Sequence, residues 1–141
     1  MAGLLCFHWV GFMKFAIALL AGPQDPAARS ALEFARAVLS SGHQISHLFF
    51  YREAVHLASL LGVQPQDEQD ITAEWRQFIT EHRLDAVVCI AAALRRGVLD
   101  KAEAQRWERP AANTAAPWEL SGLGQWVDAL QSADRAVTFG T

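Results

Sequence analysis

The chain has 141 residues, 52% hydrophobic and 19% charged, with 12 Lys and Arg against 15 Asp and Glu for a formal net charge of −3. That length suits one domain with a full core, and the mixed, slightly acidic charge gives no sign of a surface that grips phosphate backbones. Two cysteines, Cys6 and Cys89, make no disulfide framework, and no Cys-x-x-Cys or Cys/His ladder suggests zinc, so a reducing compartment is the simpler setting. The apolar surplus, five tryptophans included, exceeds the needs of a lone small domain and suggests subunit interfaces.

Met1 to Leu20 is nearly continuous in apolar residues, yet no Lys or Arg precedes the run, Lys14 interrupts it, and no clear small-x-small cleavage site follows. A signal peptide or membrane anchor is therefore the poorer reading. Met13 to Leu20 is expected to form the first buried strand. Residues 1–12 are read as an extension outside the fold, in which Cys6 has no role, and residues 13–141 as the domain.

Ala21 to Pro26 reads as a turn, with Asp25 placed to cap a helix and Pro26 at its first position. Ala28, Ala31, Leu32, Ala35, Val38 and Leu39 recur at helical spacing until Gly42. Gln44 to Tyr51 is the second strand, Ala54 to Leu61 a short helix, and Gly62 to Gln69 a polar surface loop. Asp70 caps a helix with Ile71, Trp75, Phe78, Ile79 and His82 on one face. That helix leads through Arg83 into the apolar run ending at Cys89, a β-helix-β crossover that makes the two strands parallel.

Val87, Val88 and Ile90 favour a buried strand, whereas Ala91 to Arg96 are strong helix formers, so strand gives way to helix at or near Cys89. Gly97 stops that helix after one or two turns. Asp100-Lys101-Ala102-Glu103 has capping-box spacing before a short helix to about Trp107. Arg109 to Pro117 reads as an irregular loop. Ser121 is expected to cap a last amphipathic helix carrying Leu123, Trp126, Val127 and Leu130, and Arg135 to Phe139 to close as a strand. Alternating strands and helices over this length indicate a flavodoxin-like α/β sandwich, a mainly parallel sheet flanked by helices.

A thiol at the carboxyl end of a parallel strand stands where open α/β sheets put their chemistry, and the free N–H groups of a following helix favour an anion by about 0.3–1 kcal/mol. The other reading of Cys89 is a small buried hydrophobe, the usual fate of a free cysteine. Both stay open on position alone. Arg95 and Arg96 carry a similar ambiguity: cations near a thiol stabilise its anion, yet arginines at a helix end also answer the macrodipole with no function. Gly122-Leu123-Gly124 lacks the third glycine and preceding strand of a dinucleotide fingerprint, and no phosphate loop is present, so no nucleotide cofactor is expected. His43 and His47 are not expected to share a helical face as metal ligands, and His56 and His82 read as helix-surface or core residues. No Ser/His/Asp arrangement and no paired carboxylates at a strand end compete with Cys89 as the nucleophile.

Phe49-Phe50-Tyr51-Arg52-Glu53, Val88 to Val98 and Leu120-Ser121-Gly122-Leu123-Gly124-Gln125, with the Met13-Lys14-Phe15-Ala16 start and the Ala133 to Val137 ending, resemble the DsrE/TusD family of sulfur-relay proteins in order from Met13 to the C-terminus. The resemblance implies an α/β sulfurtransferase subunit in which Cys89 carries sulfur as a persulfide with no cofactor or metal, and in that reading Arg95 and Arg96 take the functional side of their ambiguity and tune the thiolate. It implies two sister subunits of the same fold, a heterotrimer doubled to a hexamer. It also implies a small sulfur-donor carrier protein and a sulfur-acceptor protein in the cytoplasm, with no membrane and no direct nucleic-acid contact. In the TusD branch the sulfur goes toward 2-thiouridine at the tRNA wobble position, and in the DsrE branch the complex serves cytoplasmic sulfur oxidation. Tyr51-Arg52-Glu53 and Ala93 to Val98 stand closer to the first branch, Gly124-Gln125 and Phe139-Gly140 to the second. A non-catalytic assembly subunit with Cys89 in its core is the alternative of another class.

Overall fold

A computed structural model of the chain describes residues 11–141. The expectations for residues 1–10, including Cys6, lie outside the described residues. Five strands form one sheet in the order β4-β3-β2-β1-β5, and every recorded pair is parallel. This is the expected α/β architecture with a wholly parallel sheet.

β1 (Lys14–Leu19) is followed by α1 (Pro26–Ser40), whose Asp25 cap accepts a hydrogen bond from the Ala27 N–H at 2.8 Å with Pro26 in the first turn. Ala28, Ala31, Leu32, Ala35 and Val38 bury the helix face read from their spacing. β2 is Gln44–Phe50. The expected short helix of Ala54 to Leu61 is present as a 3-10 helix, shifted to Arg52–Ala58. Its buried residues, Ala54, Val55, Leu57 and Ala58, pair at a spacing of three, the period of the tighter helix. The Leu60 N–H donates to the Asn113 carbonyl at 2.7 Å, which draws the chain out of any further turn.

Asp70 caps α2 (Ile71–His82) by accepting from the Ala73 N–H at 3.0 Å, and Ile71, Trp75, Phe78 and Ile79 are buried. His82, expected on that face, is exposed in the last turn, its ring 4.9 Å from that of Phe78. β3 (Ala86–Cys89) runs directly into α3 (Ile90–Arg95), and Gly97 follows with a φ of +71°. α4 (Lys101–Arg106) is capped by Asp100, which accepts from the Glu103 N–H at 2.8 Å.

β4 (Trp118–Ser121) was not expected. Glu119 and Ser121 are poor strand formers, and the segment is extended because it pairs along β3, Ala86 with Trp118 through Cys89 with Ser121. Ser121 therefore ends a strand instead of capping a helix. α5 (Leu123–Ser132) starts behind Gly122 with no side-chain cap, and β5 (Arg135–Phe139) completes the sheet beside β1.

The strand order decides which face each helix covers. β1 to β4 progress in one direction, so right-handed crossovers put α1, α2 and the β3–β4 connection on one face, and the return to β5 puts α5 on the other. The aromatic contacts agree. Phe15 meets Phe34 of α1 and Phe50 meets Trp75 of α2, whereas Phe49 stacks on Trp126 of α5 at 5.5 Å.

Candidate functional site

Cys89 is both the last residue of β3 and the residue from which α3 starts, with φ −58° and ψ 113°. Its strand register sets it beside Ser121, the last residue of β4. Beyond these two neighbours the chain departs to opposite faces, β3 into α3 on the α2 side and β4 into α5. Such a divergence at the carboxyl ends of adjacent strands is where open parallel sheets form their ligand crevice. By alternation Cys89 shares the α5 face with Val87, whose partner Phe49 stacks on Trp126. In the isolated subunit this place is filled: Cys89 is 2% exposed and belongs to the continuous hydrophobic core.

The two arginines that the sequence sets together part company. Arg96 donates from Nε to Glu53 Oε1 at 2.8 Å and from a terminal nitrogen to the Ala92 carbonyl at 3.3 Å, tying the end of α3 to the 3-10 helix after β2. Its guanidinium holds the Glu53 carboxyl below the usual carboxylate range, and His56 Nε2 lies 3.5 Å from the other carboxylate oxygen. Arg95 is exposed and lines an apolar groove of about 520 Å³ with Leu61, Leu94, Trp107 and Arg109. No local pattern in the sequence pairs Glu53 with Arg96. The only sequence signal was its place at a strand end, and 43 residues separate the pair.

The histidines are scattered. His43 Nδ1 accepts from the Met13 N–H at 3.1 Å, His47 Nδ1 is buried without a hydrogen-bond partner, and His56 stands beside Glu53. Among the described residues no cluster of three or more His, Cys, Asp or Glu side chains is arranged to hold a metal ion, and no helix is long and apolar enough to cross a membrane.

Comparison with known proteins decides the class. The model of the DsrE/DsrF-like family matches residues 13–139. The chain belongs to the DsrE/DsrF-like family. Among its relatives a sulfurtransferase TusD homolog of Pseudomonas aeruginosa is 61% identical over 128 residues, covering 91% of this chain and 98% of that one. A sulfurtransferase TusD of Salmonella enteritidis is 43% identical over 129 residues, covering 90% and 100%, and a DsrE-named protein of Allochromatium vinosum is 44% identical over 129 residues, covering 91% and 99%. The crystal structure of the YchN protein from E. coli shares the fold, with a TM-score of 0.68 over 92% of this chain and all of that one at 19% identity. The family and the transferase class expected from the motif segments both stand, since these DsrE/DsrF-like relatives are named sulfurtransferases.

Proposed function

We propose that this chain is a TusD-like sulfurtransferase subunit that carries sulfur as a persulfide on Cys89 between two partner proteins in the cytoplasm, toward 2-thiouridine in tRNA. The observation that carries the reading is the seat of Cys89 at the divide between β3 and β4, in a chain 61% identical to a TusD homolog. In the first step the Cys89 thiolate attacks the outer sulfur of a donor persulfide. A new S–S bond forms, the donor's own S–S bond breaks, and the donor leaves as a thiolate. In the second step an acceptor thiolate attacks the outer sulfur on Cys89, and the Cys89 thiolate is released. No electrons are gained or lost overall, and neither step calls on a metal or nucleotide. Arg95 and Arg96, at the end of the helix that starts from Cys89, are the nearby cations in this reading.

Assembly with sister subunits of the same fold belongs to the same proposal. Leu123, Val127 and Leu130 of α5 are 53%, 51% and 42% exposed, an apolar helix face of the kind that subunits cover. Because Cys89 is 2% exposed, the relay requires its cover to open locally in the folded subunit, without global unfolding.

That burial also favours a second reading, in which Cys89 is a core residue and the subunit only supports assembly. Iodoacetamide kinetics in a Cys6→Ser background separate the two. The relay reading expects Cys89 to be alkylated in the folded protein faster than the chain unfolds. A core thiol reacts no faster than global unfolding allows. The DsrE branch of sulfur oxidation uses the same cysteine and differs in the acceptor protein that takes the sulfur.

A further inference from the structure

We propose that the groove beyond α3 is a docking seat for an extended, apolar and acidic segment of the protein that exchanges sulfur with Cys89; the link to sulfur rests on the relay reading, the binding does not. The groove holds about 520 Å³ between Leu61, Leu94, Leu99 and Trp107, with Arg95 and Arg109 on its lining. Its apolar walls are open to water: Leu61 is 70% and Trp107 50% exposed, and Leu60 and Val63 beside them are 45% and 89% exposed. Apolar surface thus continues past the groove itself, a footprint larger than a small molecule fills and typical of a protein contact.

The walls are built to hold one shape. Asn113 accepts from the Leu99 N–H at 2.8 Å, donates to the Gly97 carbonyl at 2.7 Å, and accepts through its own carbonyl from Leu60, joining three of the segments that line the groove. Trp107 donates its indole N–H to buried Glu103 at 2.9 Å. The polar edge of the indole is thereby satisfied inside the protein while half the side chain stays exposed. A fixed tryptophan with arginines around it has the composition of a binding hot spot and loses little freedom on binding.

Charge selects the occupant. Neither Arg95 nor Arg109 makes an ion pair among the described residues, and the Arg106 guanidinium lies 5.5 Å from the centre of the Trp107 ring. Against these three cations stand Glu103, which is engaged with Trp107 and Arg106, and exposed Glu108. Carboxylates spaced along an apolar segment answer this pattern. Nucleic acid answers it less well, because leucines separate the cations and the chain is net negative. The groove starts at Leu94 and Arg95, about 9 Å along the helix axis from the Cys89 backbone, so a segment seated there holds its protein at the end of the sheet where Cys89 lies.

The test uses the full chain and two fluorescein-labelled peptides of about a dozen residues, identical in leucine and phenylalanine but carrying glutamate in one and lysine in the other. Fluorescence anisotropy is expected to show the glutamate peptide binding at least about tenfold tighter than the lysine peptide, with the order reversed on Arg95→Glu/Arg109→Glu and both weakened by Trp107→Ser. Equal binding of the two peptides, or no change on the double reversal, overturns the proposal. So does tighter binding of a single-stranded RNA of similar length that the double reversal abolishes, which makes the groove a nucleic-acid surface. A shift in solution mass on the double reversal overturns it too, since the groove is then a subunit contact. Repeating the binding on Cys89→Ser keeps it independent of sulfur chemistry: unchanged affinity is expected there even if Cys89 carries no sulfur.

Discussion

Arg96 and Glu53 meet with Nε 2.8 Å from Oε1, fastening the turn after α3 to the 3-10 helix after β2. The pair braces the two segments that leave the carboxyl ends of β2 and β3, the second of which starts from Cys89. Because Arg96 holds the Glu53 carboxyl low, the pair's contribution is present above the ordinary carboxylate pKa and is lost as the pH falls through the lower folded value. Glu53→Gln should therefore lower the urea midpoint at about pH 7, and the gap from wild type should close as the pH is lowered from about 5 toward 3. A gap that persists in acid excludes the ion pair as its cause.

Glu74 receives both terminal nitrogens of Arg29, at 2.6 and 2.7 Å, and one of Arg36 at 3.3 Å, which joins α1 to α2 outside the core. The Arg29 hydrogen bonds hold the Glu74 carboxyl below the usual range. Partial burial and fork geometry make this pair stronger than an ordinary surface contact, so Glu74→Gln should cost about 1 kcal/mol at neutral pH. The loss should fade in acid by the same sign as at Glu53. Arg29→Lys, which removes the fork but keeps the charge, should recover only part of it in chemical denaturation.

Phe50 lies edge to face with Trp75 at 5.3 Å and with Trp118 at 4.9 Å, all three in the layer beneath α2. Truncation there leaves a cavity between two indoles anchored separately, Trp75 on α2 and Trp118 on β4. Phe50→Ala should lower stability by about 3–5 kcal/mol in urea unfolding, and Phe50→Leu by clearly less. Equal effects would mean that the site collapses around the smaller side chain.

Gly140 follows β5 with a φ of +88°, and a Cβ there would come within 2.9 Å of the Ala21 Cβ and backbone nitrogen. The ends of β1 and β5 approach this closely because Leu20 donates to the Phe139 carbonyl at 2.9 Å. Gly140→Ala should destabilise the fold by about 1–3 kcal/mol through strain and overlap, read as a fall in Tm. An unchanged Tm would show that the C-terminal turn relaxes freely.

Much of this fold is written in local chemistry. Asp25 with Pro26, Asp70 and the Asp100–Glu103 spacing mark three helix starts, and each cap forms as its residues dictate. β4 was illegible because Trp118 is the one strong strand former in Trp118-Glu119-Leu120-Ser121, and the segment is extended through its pairing with β3, a contact between distant segments. The short helix after β2 stops before Leu61 for a similar reason: Asn113, far along the chain, draws Leu60 out of it. At the site, the change from strand to helix at Cys89 followed from Val87, Val88 and the alanines after them. What position alone left open was burial, which depends on distant segments such as β4 packing beside the end of β3. The partners of Arg95 and Arg96 were equally hidden, since Glu53 and the Trp107 groove arrive through tertiary packing.

The most direct test of persulfide carriage is intact-protein mass spectrometry of the folded chain, alone and with candidate subunits of the same fold, after incubation with a persulfide donor in a Cys6→Ser background. One added sulfur atom on the protein that retains Cys89, lost on reduction and absent from Cys89→Ser, is the expected result. Equal loading of the two, or none on either, would contradict the relay and leave Cys89 a residue of the core.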